Sequence, residues 1–232
     1  MPTPALANLF VAARSNYDWP SGIGAAASQT TIINLEASVS GYIAALSAAN
    51  AHRVVVDASR WAGNNASSHQ QIVAASAVQK ATMHVAITNL LSSTTACAGI
   101  DALCGLPGVS LVIASKIYRF CCPSIGAAVD RHASYFFNSL RIAGGGFATY
   151  FARQWSNRRH VGSRLAIYSA TGYNHNKVEY FQTYLPRLAG IAHELNSSGN
   201  QYRCASTGLL KAWMPADVEM AAYYWWAVNG AR

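Results

Sequence analysis

The stretch from Leu106 to Leu140 constrains this chain more than any other. It reads Leu106-Pro107-Gly108-Val109-Ser110, then an apolar run holding Lys116 and Arg119, then Cys122-Pro123, then Ala128-Val129-Asp130-Arg131-His132. Gly105 and Gly108 bracket Leu106-Pro107, which suits a tight hairpin needing unusual backbone angles and a fixed φ at proline. A helix precedes the hairpin, and a second runs from about Leu111 until Pro123 stops it. That second helix has an apolar face of Ile113, Ile117 and Phe120. Ser115, Lys116 and Arg119 form another stripe at helical spacing, with Val112 as its apolar exception. After a short loop Asp130 stands where an N-cap would. Ala133, Phe136, Phe137 and Leu140 follow at the spacing of one helix face.

A chain of 232 residues makes one domain, or two small lobes sharing a core. Hydrophobic residues at 52% and charged residues at 11% exclude a disordered chain and supply ample core. The formal charge of +8 comes from 17 Lys and Arg against 9 Asp and Glu. Arginine supplies most of it, and its planar fork suits phosphate, so nucleic acid is the first partner to consider and anionic membrane the second.

The five cysteines, Cys97, Cys104, Cys121, Cys122 and Cys204, are odd in number and include an adjacent pair. That is not a secreted disulfide framework and points to a reducing compartment. No CxxC or paired-His spacing accompanies them, so they read as buried thiols. No positive charge precedes the apolar patch at Leu6 to Ala12, and no signal peptide is expected. The longest charge-free window, Ala81 to Ile100, holds His84, Asn89 and several hydroxyl residues. It is poor material for a membrane span.

The remaining segments read as helices and turns. Residues 14 to 30 are rich in Gly, Pro, Ser and Asn and suggest a loop. Thr31 to about Ala49 forms an amphipathic helix through Ile33, Leu35, Val39, Tyr42, Ile43 and Leu46. Val54-Val55-Val56 is the one strong strand signal, although packing can make it helical. A long, largely buried Ala-rich helix is expected from His69 to Asn89. Gly144-Gly145-Gly146 allows a change of direction, and a basic cluster of Arg153, Arg158, Arg159, His160 and Arg164 follows around Trp155. Asn174-His175-Asn176 opens a helical hairpin that reaches Asn196 and exits at Gly199. A last helix starts near Pro215, with acids in its first turn, and ends in Tyr223-Tyr224-Trp225-Trp226, taken mainly as core and lobe packing. The whole reads as all-α.

Leu106-Pro107-Gly108-Val109-Ser110 followed by Ala128-Val129-Asp130-Arg131-His132 resembles the helix-hairpin-helix signature of the endonuclease III superfamily of DNA glycosylases. The match covers roughly residues 100 to 140. The resemblance implies one glycosylase-like domain over 1–232, built of two helical lobes with a DNA-binding and base-binding cleft between them. One lobe is expected at 52–122, ending in the hairpin, and the other at 1–51 plus 123–232, carrying the Asp130 helix. It implies that a target nucleotide leaves the duplex and that its N-glycosidic bond is hydrolysed. Asp130 would be the catalytic carboxylate, stabilising oxocarbenium charge and orienting water.

By the same resemblance, Gly105, Leu106, Pro107, Gly108, Val109 and Ser110 would grip backbone phosphate, with Na+ or K+ held at the hairpin carbonyls. Ser115, Lys116, Arg119, Arg131, Arg158 and Arg159 are the further candidate DNA contacts. Asn64, Asn65, Gln70 and Gln71 are candidate wedge residues for the gap left by the base. Val112 occupies the position where strand-cutting members carry a nucleophilic lysine, so base removal without lyase chemistry is expected, with Lys116 one turn on as the alternative amine. Only Cys204 lies where many members carry four cluster cysteines, and no iron–sulfur cluster is expected. The expected partner is double-stranded DNA, acted on by a cytoplasmic or nucleoid-associated monomer with no membrane contact. The base is unspecified: DNA damage and hypermodified phage DNA are both open. A non-catalytic helix-hairpin-helix DNA-binding protein is the competing class.

Overall fold

The computed structural model describes residues 4–17, 32–63, 66–129, 132–133, 136–137, 177–178, 180–204 and 207–229. These are mostly helical, in keeping with the all-α expectation. The chain divides into two units, Met1–Tyr17 with Val129–Arg232, and Asp18–Ala128. The division differs from the expected lobes mainly in residues 18–51. The helix Ile32–Ala44 packs against helices of the unit Asp18–Ala128, so its buried Ile32, Leu35 and Val39 join that core.

The unit Asp18–Ala128 contains α2 (Ile32–Ala44), α3 (Ala48–Trp61), α4 (Ala66–Val73), α5 (Ala77–Leu90), α6 (Ala96–Cys104) and α7 (Leu111–Cys121). The helix expected to run on to Ala49 stops at Ala44, and Ser47 restarts the chain as an N-cap, its side chain accepting from the Asn50 N–H at 3.2 Å. Val54-Val55-Val56 is helical. Ala51, Val54, Val55, Ala58 and Trp61 recur at helical spacing along one buried face of α3, and that burial outweighs β propensity. The long Ala-rich helix is two. Ser76 interrupts it with a capping box, in which its hydroxyl accepts from Gln79 N–H and the Gln79 amide oxygen accepts from Ser76 N–H. Nor is α5 largely buried: Met83, Ala86, Ile87 and Leu90 form its inner face, while Val78 and Val85 are exposed.

Helix α7 is the centre of this unit. It packs against α2, α3, α5 and α6, and all of its residues except Val112 are buried. The stripe of Ser115, Lys116 and Arg119, read from the sequence as candidate DNA contacts, therefore lies in the interior. A helix surrounded by four others has no free face, and its polar side chains must find partners inside.

The other unit contains α1 (Pro4–Ser15), a π-helical turn (Tyr180–Tyr184) running into α8 (Leu185–Ser197), a two-stranded antiparallel ribbon of β1 (Tyr202–Arg203) and β2 (Leu210–Lys211), and α9 (Pro215–Asn229). Gly199 closes α8 at a φ of 71°, as expected of an exit residue. The ribbon has no counterpart in the sequence reading, because strands of two residues leave no period to detect. Helix α9 begins at Pro215 with Asp217 in its first turn. At its other end Tyr223, Tyr224, Trp225 and Trp226 are only half-buried, so they are not simply core.

A buried polar network fixes this second unit. Arg14 Nε donates to Asp217 Oδ1 at 2.9 Å, Tyr202 Oη donates to the same oxygen at 2.7 Å, and Met214 N–H donates to Oδ2 at 3.1 Å. The Arg14 guanidinium also lies 4.5 Å from the centre of the Tyr202 ring. Burial, reinforced by the Asp217 charge, raises the Tyr202 pKa far above its ordinary value, so the phenol stays a donor.

Candidate functional site

The turn at 105–110 joins α6 to α7, which pack on each other. Gly105 N–H donates to Asp101 O, Leu106 N–H to Leu103 O and Val109 N–H to Leu106 O, at 3.1, 3.0 and 3.2 Å. Leu106 and Val109 are buried and anchor the turn, whereas Gly105 and Pro107 are exposed. Gly108 adopts a φ of 78°, and a Cβ there would collide with the Ser68 carbonyl oxygen of α4. Both the backbone angle and the approach of α4 demand glycine.

Ser110 caps α7, its hydroxyl accepting from the Ile113 N–H at 3.4 Å. Three of the hairpin N–H groups are used within the turn, and Pro107 has none. Among the described residues, no partner is taken by the N–H groups of Ser110, Leu111 and Val112. Any grip on an anion through the backbone is thus concentrated at the start of α7 rather than spread along the hairpin.

The expected DNA contacts on α7 lie elsewhere than predicted. Arg119 is 1% exposed, and its Nη2 donates to Glu36 Oε1 of α2 at 2.7 Å. Its guanidinium is spent on that carboxylate and on the Phe120 ring, 4.3 Å away, and does not reach a surface phosphate. Ser115 is fully buried and donates to the Val112 carbonyl at 2.9 Å, satisfying itself within the helix. Lys116 is 8% exposed, with Nζ 5.3 Å from the centre of the Trp61 ring. Among the described residues it has no ion-pair partner. Trp61 in turn meets Phe120 edge to face at 4.9 Å. The lysine and indole come from helices far apart in sequence, and no local pattern announces the pairing.

Of the wedge candidates, Gln70 and Gln71 are exposed on α4, the helix against which Gly108 leans. Asn64, Asn65, Asp130, Arg131, Arg158 and Arg159 lie outside the described residues. On either side of Asp130, Ala127, Ala128 and Val129 are fully buried, and the His132 ring packs edge to face on Tyr223 of α9 at 5.1 Å. Phe136, one helical stretch further, packs on Phe10 at 5.6 Å and on Trp225 at 5.4 Å. Sequence reasoning did not single out these aromatic partners, since any of the many Tyr and Trp residues was eligible.

Among the described residues no group of three or more His, Cys, Asp or Glu side chains is arranged to hold a metal ion, and no helix is long and apolar enough to cross a membrane. Comparison with protein-family models, with curated proteins and with solved structures finds no match to this chain.

Proposed function

We propose that the protein is a monofunctional DNA N-glycosylase, which takes a damaged or modified base out of the duplex and hydrolyses its bond to the sugar. The observation that carries this reading is the turn at 105–110. It joins two packed helices, requires glycine at 108, and leaves the first N–H groups of α7 open to a phosphate oxygen. The order of that turn and of Asp130 in the sequence supports the same reading.

In the proposed reaction the bond between C1′ and the base nitrogen breaks, and its electron pair leaves with the base. The Asp130 carboxylate stabilises positive charge on the sugar and takes a proton from the water that adds to C1′, and that proton passes to the departed base. The product is an abasic site. A sodium or potassium ion at the hairpin carbonyls belongs to the same proposal. Leu106 O accepts from Val109 N–H and keeps a second lone pair for such an ion.

The test uses the full chain with duplexes carrying a panel of damaged bases, and with hypermodified phage DNA, followed by alkali to cleave abasic sites. Breaks that vanish in Asp130→Asn while DNA binding persists are the expected result. Unchanged breakage in that variant overturns the catalytic assignment, and binding without breakage in the wild type leaves a non-catalytic DNA-binding protein.

One observation favours a second reading. Lys116 is 8% exposed, beside the Trp61 ring and without an ion pair among the described residues, and a lysine amine is a nucleophile toward carbonyl carbon. In that reading the Lys116 side chain adds to the aldehyde of the abasic sugar and forms an imine with loss of water. Borohydride reduction then traps a protein–DNA adduct that Lys116→Ala abolishes. Absence of the adduct in the wild type retains the monofunctional reading.

A further inference from the structure

Helices α1 and α9 pack on each other within one unit, and a groove of about 400 Å³ runs between them. One wall is α1, where Ala5 and Ala12, two turns apart on one face, carry only a methyl group and leave the space unfilled. The other wall is α9, with the rings of Tyr224 and Trp225. Tyr224 meets Tyr17 edge to face at 5.9 Å and Trp225 meets Phe136 in the same way at 5.4 Å, so the aromatic wall is held in place before anything binds. Asn16 lies on the first wall and Asn229 on the second. Each donates its amide N–H to the carbonyl one turn back, Asn16 to Ala12 O at 2.8 Å and Asn229 to Trp225 O at 2.9 Å. Each keeps its amide oxygen as an acceptor. Among the described residues no Lys, Arg, Asp or Glu side chain lines the groove.

We propose that this groove is a binding site for a free, flat heterocycle that carries an amino group and no net charge. Its volume falls in the range of small-molecule sites, and a flat ring laid against Tyr224 and Trp225 displaces water from an apolar wall. The amino group supplies the N–H donors that the two amide oxygens can accept. Without a cation in the lining a phosphate would be buried unpaired, which separates a free heterocycle from a nucleotide or a DNA strand. An apolar helix laid in the groove would bury both oxygens unmet. The site is separate from the turn at 105–110, which belongs to the other unit, and it does not depend on glycosidic cleavage by the protein.

The experiment titrates the full-length protein with 2-aminopurine, with purine, which lacks the amino group, with naphthalene and with the 5′-monophosphate nucleotide of 2-aminopurine. Wild type is expected to quench 2-aminopurine saturably and to bind it about tenfold more tightly than purine. In Asn16→Ala/Asn229→Ala the two affinities come within about twofold of each other. Ala12→Trp, which fills the groove from an exposed position, abolishes both. Circular dichroism and urea unfolding confirm that each variant folds, and the asparagine pair decides alone if Ala12→Trp does not. DNA affinity stays within about twofold of wild type in both variants, since no substitution changes a charge. Absence of saturable quenching in wild type overturns the assignment, as does quenching that survives Ala12→Trp. Naphthalene or the nucleotide binding as tightly as 2-aminopurine overturns it too. DNA affinity lost together with 2-aminopurine binding makes the groove part of a DNA surface, and a wild-type dimer that Ala12→Trp dissociates makes it a contact between copies; either result overturns the assignment.

Discussion

Arg119 on α7 and Glu36 on α2 meet at 2.7 Å across 83 positions of the chain, with the guanidinium buried and the carboxylate side chain 31% exposed. Removing the acid takes a carboxylate from a guanidinium that is 1% exposed. Glu36→Ala is expected to lower the unfolding free energy by about 2 kcal/mol. That is less than the loss typical of fully buried pairs, because Glu36 keeps part of its surface in solvent. Urea unfolding measures the loss. A change within error would mean that the pair contributes nothing beyond the burial of the arginine stem.

Asp217 carries a heavier burden, since Arg14, Tyr202 and the Met214 N–H all converge on it inside the second unit. Asp217→Ala is expected to cost about 3–5 kcal/mol, and Tyr202→Phe, which removes one donor and leaves the ion pair, about 1–2 kcal/mol. If the two variants are equally destabilised, the hydroxyl and not the ion pair holds the network.

Burial, with a smaller contribution from Cys122, pushes the Tyr118 phenol from 10.0 up to about 12. Between those values the unfolded phenol ionises while the folded one keeps its proton, so the unfolded state binds fewer protons and stability falls as pH rises through the window. The buried Cys121 thiol is raised in the same sense and adds to the fall from about pH 9. Unfolding measured between pH 8 and about 12 should show a shallower decline in Tyr118→Phe than in wild type, with no difference between them below about pH 9. Parallel curves would place the alkaline loss elsewhere.

Gly108→Ala meets two obstacles, a positive φ and the Ser68 carbonyl. A stability loss of about 2 kcal/mol or more is expected. DNA affinity should fall with it if the start of α7 grips phosphate. Loss of stability with unchanged affinity would detach the turn from binding.

Several features were legible in the sequence because their causes are local. Gly108 and Ser110 mark the turn, Pro123 follows the end of α7, Gly199 closes α8 and Pro215 opens α9, each through a constraint acting within a few residues. The fates of Lys116 and Arg119 were not legible. Helical spacing says which residues share a face, and it is silent on how many neighbours surround the helix. Four helices pack on α7, and the stripe of polar residues lies in the interior, with Glu36 and Trp61 supplied from distant segments. Val54 to Val56 failed for a related reason, their β propensity yielding to a face completed by Ala51, Ala58 and Trp61. Of the candidate site, the turn was readable at Gly108 and the helix start at Ser110, both local constraints.

The bond between Arg14 and Asp217 spans 203 positions, and a contiguous unit of its own occupies residues 18–128 of the interval. During synthesis at about 10 residues per second, α1 therefore emerges roughly 20 s before the helix that completes its core. The inserted unit holds all its partners long before that. Helix α1 is thus among the last to dock, and for that interval its apolar face, with Phe10 at the centre, has yet to meet α9.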